Sequence, residues 1–236
     1  MAAGTLYLIP TTLGESTLAA VIPQDVQQRV RRLEYFVAEN PKTARAYLKQ
    51  VGMPKPLQEL HIATLDEHTA DAAIAGLAAP LRAGHDLGVM SEAGCPGIAD
   101  PGAQLVLYAQ RQGLRVVPLV GPSSILLALM ASGLEGQRFA FHGYLPVAAA
   151  ERLKALRDLE QQSRRLKQTQ IFIETPYRND RLVQSILDIC AANTLLCIAT
   201  EVSLATEDIR TMTVAQWKKN APQLERRPSL FLLLAH

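Results

Sequence analysis

Short apolar runs alternate along the chain with stretches of helical length whose apolar positions recur every three or four residues. TLYLI (5–9) is β-rich and is stopped by Pro10, which predicts a buried strand. LEYFVAE (33–39), HIAT (61–64), LGVM (87–90) and LRVVPL (114–119) repeat the pattern. Between them, Pro23 opens one helix, and Asn40 with Pro41 supplies a cap and a first-turn proline for a second. The Ala-rich span 69–82 predicts a helix ending before Gly84, and another runs over 103–112 to a stop at Gly113. Strands separated by helices call for a mostly parallel sheet with right-handed crossovers.

The second half changes character. FAFHGYLP (139–146) predicts a strand, 151–167 a charged amphipathic helix, QIFIET (170–175) a strand ended by Pro176, and 181–191 a helix. LLCIAT, EDIRTMT and SLFLLLA then follow with little helix between the first two, so they are expected to pair as a meander or hairpin. The fold class expected is α/β, with two α/β domains, 1–120 and 121–236. The first should carry a mostly parallel sheet and the second a mixed one.

At 236 residues, 48% hydrophobic and 19% charged, the chain is too apolar for disorder and large enough for two cores. Its formal charge of +2 neither demands nor excludes a polyanionic partner. Lys and Arg cluster at 29–32, 152–167 and 225–227, and solvated helix faces are the favoured reading of the first two over a nucleic-acid patch. Three cysteines without a CxxC pair, and no basic apolar leader, point to a reducing cytoplasm; the scattered histidines give no metal signature. No apolar run approaches the ~20 residues that span a bilayer, so no membrane partner is expected.

Two junctions concentrate the unusual chemistry. GVMSEAGCPGIADPG (88–102) packs glycines and prolines at the carboxyl end of a buried strand, where open α/β sheets hold small molecules. VVPLVGPSSILLA (116–128) is a second strand-to-helix junction. Dinucleotide, P-loop and nucleophile-elbow motifs are absent. Ser123 and Ser124 read equally as caps and as ligand contacts. Cys95 reads as a small neutral filler and Asp100 as the cap of the next helix. Glu39 divides evenly between deprotonating a hydroxyl and pairing with or capping the following helix.

GTLYLIPTTLG, VMSEAGCPGIADPGAQLV, VVPLVGPSS, FAFHGYLP and FIETPYR occur in the order found in the tetrapyrrole (corrin/porphyrin) methylase superfamily. The chain most resembles the ribosomal branch, the small-subunit RNA cytidine 2′-O-methyltransferases. That resemblance implies a homodimeric, cytoplasmic methyltransferase that holds S-adenosylmethionine in the interdomain cleft and acts on ribosomal RNA or the small ribosomal subunit. It implies cofactor contacts at Pro10, Gly94, Cys95, Ile98, Ala99, Ser123, Ser124, Leu145, Thr175, Pro176 and Leu230. It leaves the catalytic residue unassigned, with Glu39 the candidate, and pairs Glu67 with His68 near the acceptor. The alternatives within the same reading are a tetrapyrrole or protein methyltransferase, or a silent S-adenosylmethionine-binding relative. The family's Asn-Leu-Gly-Asp, Ala-Glu-Asp-Thr-Arg, Glu-Ser-Pro-His-Arg and Arg-Glu-Leu-Thr-Lys stretches appear here as TTLGES, AENPK, ETPYR and TEVSL, so the cofactor loops keep the family pattern better than the acceptor side.

Overall fold

The structure, a computed structural model, describes residues 2–66 and 68–236, with the backbone alone at Asp71. Glu67, one half of the expected acceptor-side pair, lies outside the described residues. The chain divides into two compact units, one through Ser123 and the other Ser124–His236.

In the first unit β1 (Thr5–Ile9), β2 (Tyr35–Ala38), β3 (His61–Thr64), β4 (Leu87–Met90) and β5 (Arg115–Pro118) form an all-parallel sheet in the order β3-β2-β4-β1-β5. Alternate residues of each strand face opposite sides. Tyr7, Ile9 and Phe36 pack with α1 (Leu18–Val21), α2 (Gln24–Val30) and α3 (Pro41–Val51), through Leu18, Val26 and Leu48. Leu6, Val37 and Val89 pack instead with α4 (Asp71–Leu77), α5 (Ala79–Arg82) and α6 (Gly102–Arg111), through Ile74, Leu81 and Leu105. Two covered faces explain why these strands read as unbroken apolar runs. Asn40 caps α3 as expected, its side chain accepting from the Lys42 N–H. The helix expected over 69–82 is two: Pro80 lacks the N–H that would continue the first across Ala78.

The second unit contains α7 (Ser124–Ser132), β6 (Phe139–Tyr144), α8 (Ala149–Leu166), β7 (Thr169–Ile173), α9 (Asn179–Ile189), β8 (Leu195–Thr200), β9 (Asp208–Thr213), α10 (Val214–Lys219) and β10 (Ser229–Leu234). Its sheet is mixed, in the order β6-β7-β10-β8-β9, with β6 and β7 parallel and the remaining pairs antiparallel. β8 and β9 make the expected hairpin. β10 does not extend it as a meander but lies between β7 and β8, because all six residues of SLFLLL are buried and require neighbours on both sides. Phe172, Leu196, Phe231 and Trp217 join Leu156 of α8 and Ile186 of α9 in one core.

The basic clusters are partly structural. Arg152 is buried instead of solvated: its Nε donates to Ser185 Oγ and its Nη1 to the Val147 carbonyl, tying α8 to α9. Arg29 lies over the Tyr7 ring, and Arg31 Nε donates to the Val51 carbonyl at 2.7 Å.

Candidate functional site

All five strands of the first sheet are parallel, so the segments following β1, β2, β4 and β5 emerge at one edge. They interlock there through backbone. Thr11 N–H donates to the Gly94 carbonyl at 2.9 Å. The buried Tyr47 hydroxyl donates to the Pro10 carbonyl at 2.8 Å; burial pushes its pKa up to about 12 and keeps it a neutral donor. Gly121 meets the Pro10 ring so closely that a Cβ would stand 2.3 Å from it. Gly94, at φ +73°, leaves room for Leu13 and the Pro122 carbonyl, which a Cβ would meet at 3.0 and 3.4 Å. Close approach therefore demands glycine at 121, and the left-handed backbone demands it at 94.

The loop between β4 and α6 is folded around one carboxylate. Asp100 Oδ1 accepts from the N–H of Gly97 at 2.7 Å and of Gly102 at 2.8 Å, while Oδ2 is buried without a partner. Burial raises its pKa, and the two N–H bonds oppose that shift. Pro101, not Asp100, occupies the residue preceding α6; Asp100 instead closes the turn from one position further back. Ala99 is held at φ +58°, a conformation that costs an L-residue about 1–2 kcal/mol.

Beside this loop lies a groove of about 510 Å³, walled by Leu8, Cys95, Ile98, Val106, Leu107 and Leu119. That volume falls in the range that houses small organic ligands. Cys95 Sγ donates to the Pro122 carbonyl at 3.4 Å, and burial pushes its pKa up, which favours the protonated thiol. Ile98 exposes half its surface, leaving an apolar wall open to solvent.

Of the positions expected to touch a cofactor, Cys95 and Ile98 line the groove; Pro10, Gly94, Ala99 and Ser123 belong to the loops around it. Glu39 is separate. It is exposed at the end of β2 and borders a different space of about 10 Å³ with Asp100 and Gly102. Asn40 is the cap of α3. Gly97, Leu107 and Leu119 also wall the groove and were not anticipated as contacts; Gly97 lay within the glycine-rich motif, whereas apolar helix positions give no such signal. His68 is exposed, with its N–H donating to Asp66 Oδ1.

Ser124 opens α7 in the second unit. The carboxyl ends of β6 and β7 and the start of β10 share one edge there, where Leu230 pairs with Ile173. Leu145, Thr175, Pro176 and Leu230 therefore gather at that edge. Behind them the buried Glu174 uses one oxygen, Oε1, to accept from the Thr175 N–H and from Arg178 Nε and Nη2, at 2.7, 2.9 and 2.6 Å. The left-handed, non-glycine Glu201 and Ser203 follow β8 at the same edge, and strain of this kind collects at functional sites. Among the described residues, no group of three or more His, Cys, Asp or Glu is placed to hold a metal, and no helix is long and apolar enough to cross a membrane.

The sequence pattern of the tetrapyrrole (corrin/porphyrin) methylases matches residues 5–217. The chain belongs to that family. It is an S-adenosylmethionine-dependent methyltransferase. Similar proteins include the ribosomal RNA small subunit methyltransferase I of Pseudomonas aeruginosa, 32% identical over 92% of this chain and 72% of that one. The Escherichia coli O157:H7 protein of the same name is 29% identical over 99% of this chain and 78% of its own. Among solved structures, the methyltransferase CobJ superposes with a TM-score of 0.64 at 16% identity, covering 100% of this chain and 95% of CobJ. The cobalt precorrin-4 methyltransferase CbiF gives 0.58 at 14%, covering 98% and 94%. These likenesses establish the two-domain tetrapyrrole methylase fold.

Proposed function

We propose that this methyltransferase transfers the methyl group of S-adenosylmethionine to a ribose 2′-hydroxyl of small-subunit ribosomal RNA. The observation that carries the acceptor is the match, over more than nine-tenths of this chain, to relatives named for the small ribosomal subunit. A cytoplasmic site and a homodimer accompany that reading.

The residues present fit the donor. The groove beside Cys95 and Ile98 is apolar, of suitable volume, and bordered by glycine backbone that permits close approach. The donor is already an electrophile and supplies the methyl group itself. What the chain contributes is alignment and exclusion of water. Ile98 and Leu107 provide apolar cover, Cys95 stays uncharged, and the hydrogen bonds among Thr11, Gly94, Tyr47 and Pro10 hold the loops rigid. Ser123, Ser124, Leu145, Thr175, Pro176 and Leu230 are the further proposed contacts. Glu39 is the proposed group that draws the proton from the acceptor hydroxyl.

Small-subunit RNA incubated with the protein and methyl-labelled donor, then digested to nucleosides, should yield a labelled 2′-O-methyl nucleoside. Glu39→Gln should lower kcat at least ten-fold with unchanged donor affinity. Label recovered in tetrapyrroles or protein, and none in RNA, would remove the proposed acceptor.

A further inference from the structure

Two tyrosines stand out from the second unit. Tyr144 is 57% exposed and Tyr177 is 67% exposed, although aromatic side chains of this size are ordinarily half-buried or better. They come from different elements that the parallel pairing of β6 and β7 brings to one edge. Tyr144 ends β6, and Tyr177 sits in the turn that follows β7.

The position of Tyr144 is built. Between Phe141 and Tyr144 the register with β7 slips by one residue: Phe141 pairs with Ile171, yet Tyr144 pairs with Ile173. Regular pairing would set Gly143 against Ile173. The extra residue is a bulge, with Gly143 taking φ +64°, and a bulge re-aims the side chain that follows it. Tyr144 is thereby carried to the end of β7 and left in solvent.

Beside Tyr177 lies a fixed cation. The Arg178 guanidinium is 5.3 Å from the centre of the Tyr177 ring, and two of its nitrogens are locked onto the buried Glu174. That hydrogen bond raises the Arg178 pKa, so the guanidinium stays charged. Glu174 is spent on backbone and guanidinium and leaves Arg178 Nη1 outside the pair. Two exposed aromatic rings at one sheet edge, one of them beside a permanently charged, pre-oriented guanidinium, are a combination that recognises unpaired nucleotides: bases stack on rings and a phosphate meets the arginine.

We propose that Tyr144, Tyr177 and Arg178, all in the second unit, form a platform for the unstacked bases of the RNA acceptor. The platform rests on the reading of this enzyme as an RNA methyltransferase.

The test uses the full-length enzyme, a fluorescein-labelled oligocytidine RNA and a small-subunit RNA transcript. Tyr177→Ala and Tyr144→Ala should each weaken binding of both RNAs roughly ten-fold, the size expected for one lost base stack. Tyr177→Phe should retain wild-type binding, since stacking needs the ring and not the hydroxyl. Donor affinity by calorimetry should be unchanged in all three. Should an alanine variant fail to fold, ultraviolet cross-linking of the wild-type enzyme to oligocytidine should place the adduct in the peptide containing Tyr177 or Tyr144. Equal RNA binding by wild type and both alanine variants would overturn the platform while leaving the RNA methyltransferase intact. Loss of donor affinity, or a change in oligomeric state on substitution, would overturn it in favour of a donor contact or a subunit interface. A wild-type enzyme that methylates no RNA would remove the acceptor reading itself, and the platform with it.

Discussion

Single atoms decide much of the geometry at the edge of the first sheet. Gly121 has no side chain because the Pro10 ring occupies the place of its Cβ. Gly121→Ala should therefore destabilise the protein by about 1–3 kcal/mol through overpacking, seen as a lower denaturant midpoint; an unchanged midpoint would mean that the two loops separate at no cost. Cys95 differs in kind, since burial and the Pro122 carbonyl favour its protonated form. Its alkylation by iodoacetamide should accelerate only at a pH above that needed by a free cysteine, and saturating donor should slow it. Faster labelling than free cysteine at neutral pH would contradict a neutral wall. Such residues were only partly legible in advance. Cys95 and Ile98 stood inside a glycine-rich motif that marked them, whereas Leu107 and Leu119 are apolar residues of a helix and a strand end. Nothing in their local pattern separates a groove wall from core.

At the scale of elements, the loop before α6 shows how one carboxylate organises backbone. Asp100→Ala removes the acceptor of two N–H groups and should cost about 1–3 kcal/mol. The pH dependence has a definite sign. Burial raises the folded carboxyl's pKa above its unfolded value, so the native state binds the proton more readily. The contribution of this group to stability is greatest below the ordinary aspartate range and declines as pH rises through the raised value. Asp100→Asn cannot titrate and should flatten that part of the stability profile, measured as melting temperature from acid to neutral pH; an unaltered slope would remove Asp100 as its source. The strands were legible because both faces of the first sheet are covered, which writes each one as an apolar run. The place of β10 was not legible as chain order, since a meander and an insertion leave the same local pattern. Its uninterrupted SLFLLL did carry the clue, because only a central strand buries every residue. The bulge at Gly143 left no signature beyond a glycine within a strand.

Over the whole molecule, each unit carries features of its own. The first unit carries the glycine-bound loops and the apolar groove, and the second carries an aromatic and cationic edge. Net charge gave no guide to an RNA acceptor, because +2 on 236 residues averages over clusters such as Arg29 and Arg152 that are spent on internal contacts. Order and spacing of the motifs said more, and family membership agrees with them. The carboxyl edge of the first sheet is the proposed seat of the methyl donor. Calorimetric titration of S-adenosylmethionine into the wild-type protein and into Ile98→Asp, whose charge would stand in the apolar wall, tests it most directly. One saturable site in the wild type and at least a ten-fold weaker one in the variant is the predicted result. Equal affinity in both proteins, or no heat with the wild type, would contradict it.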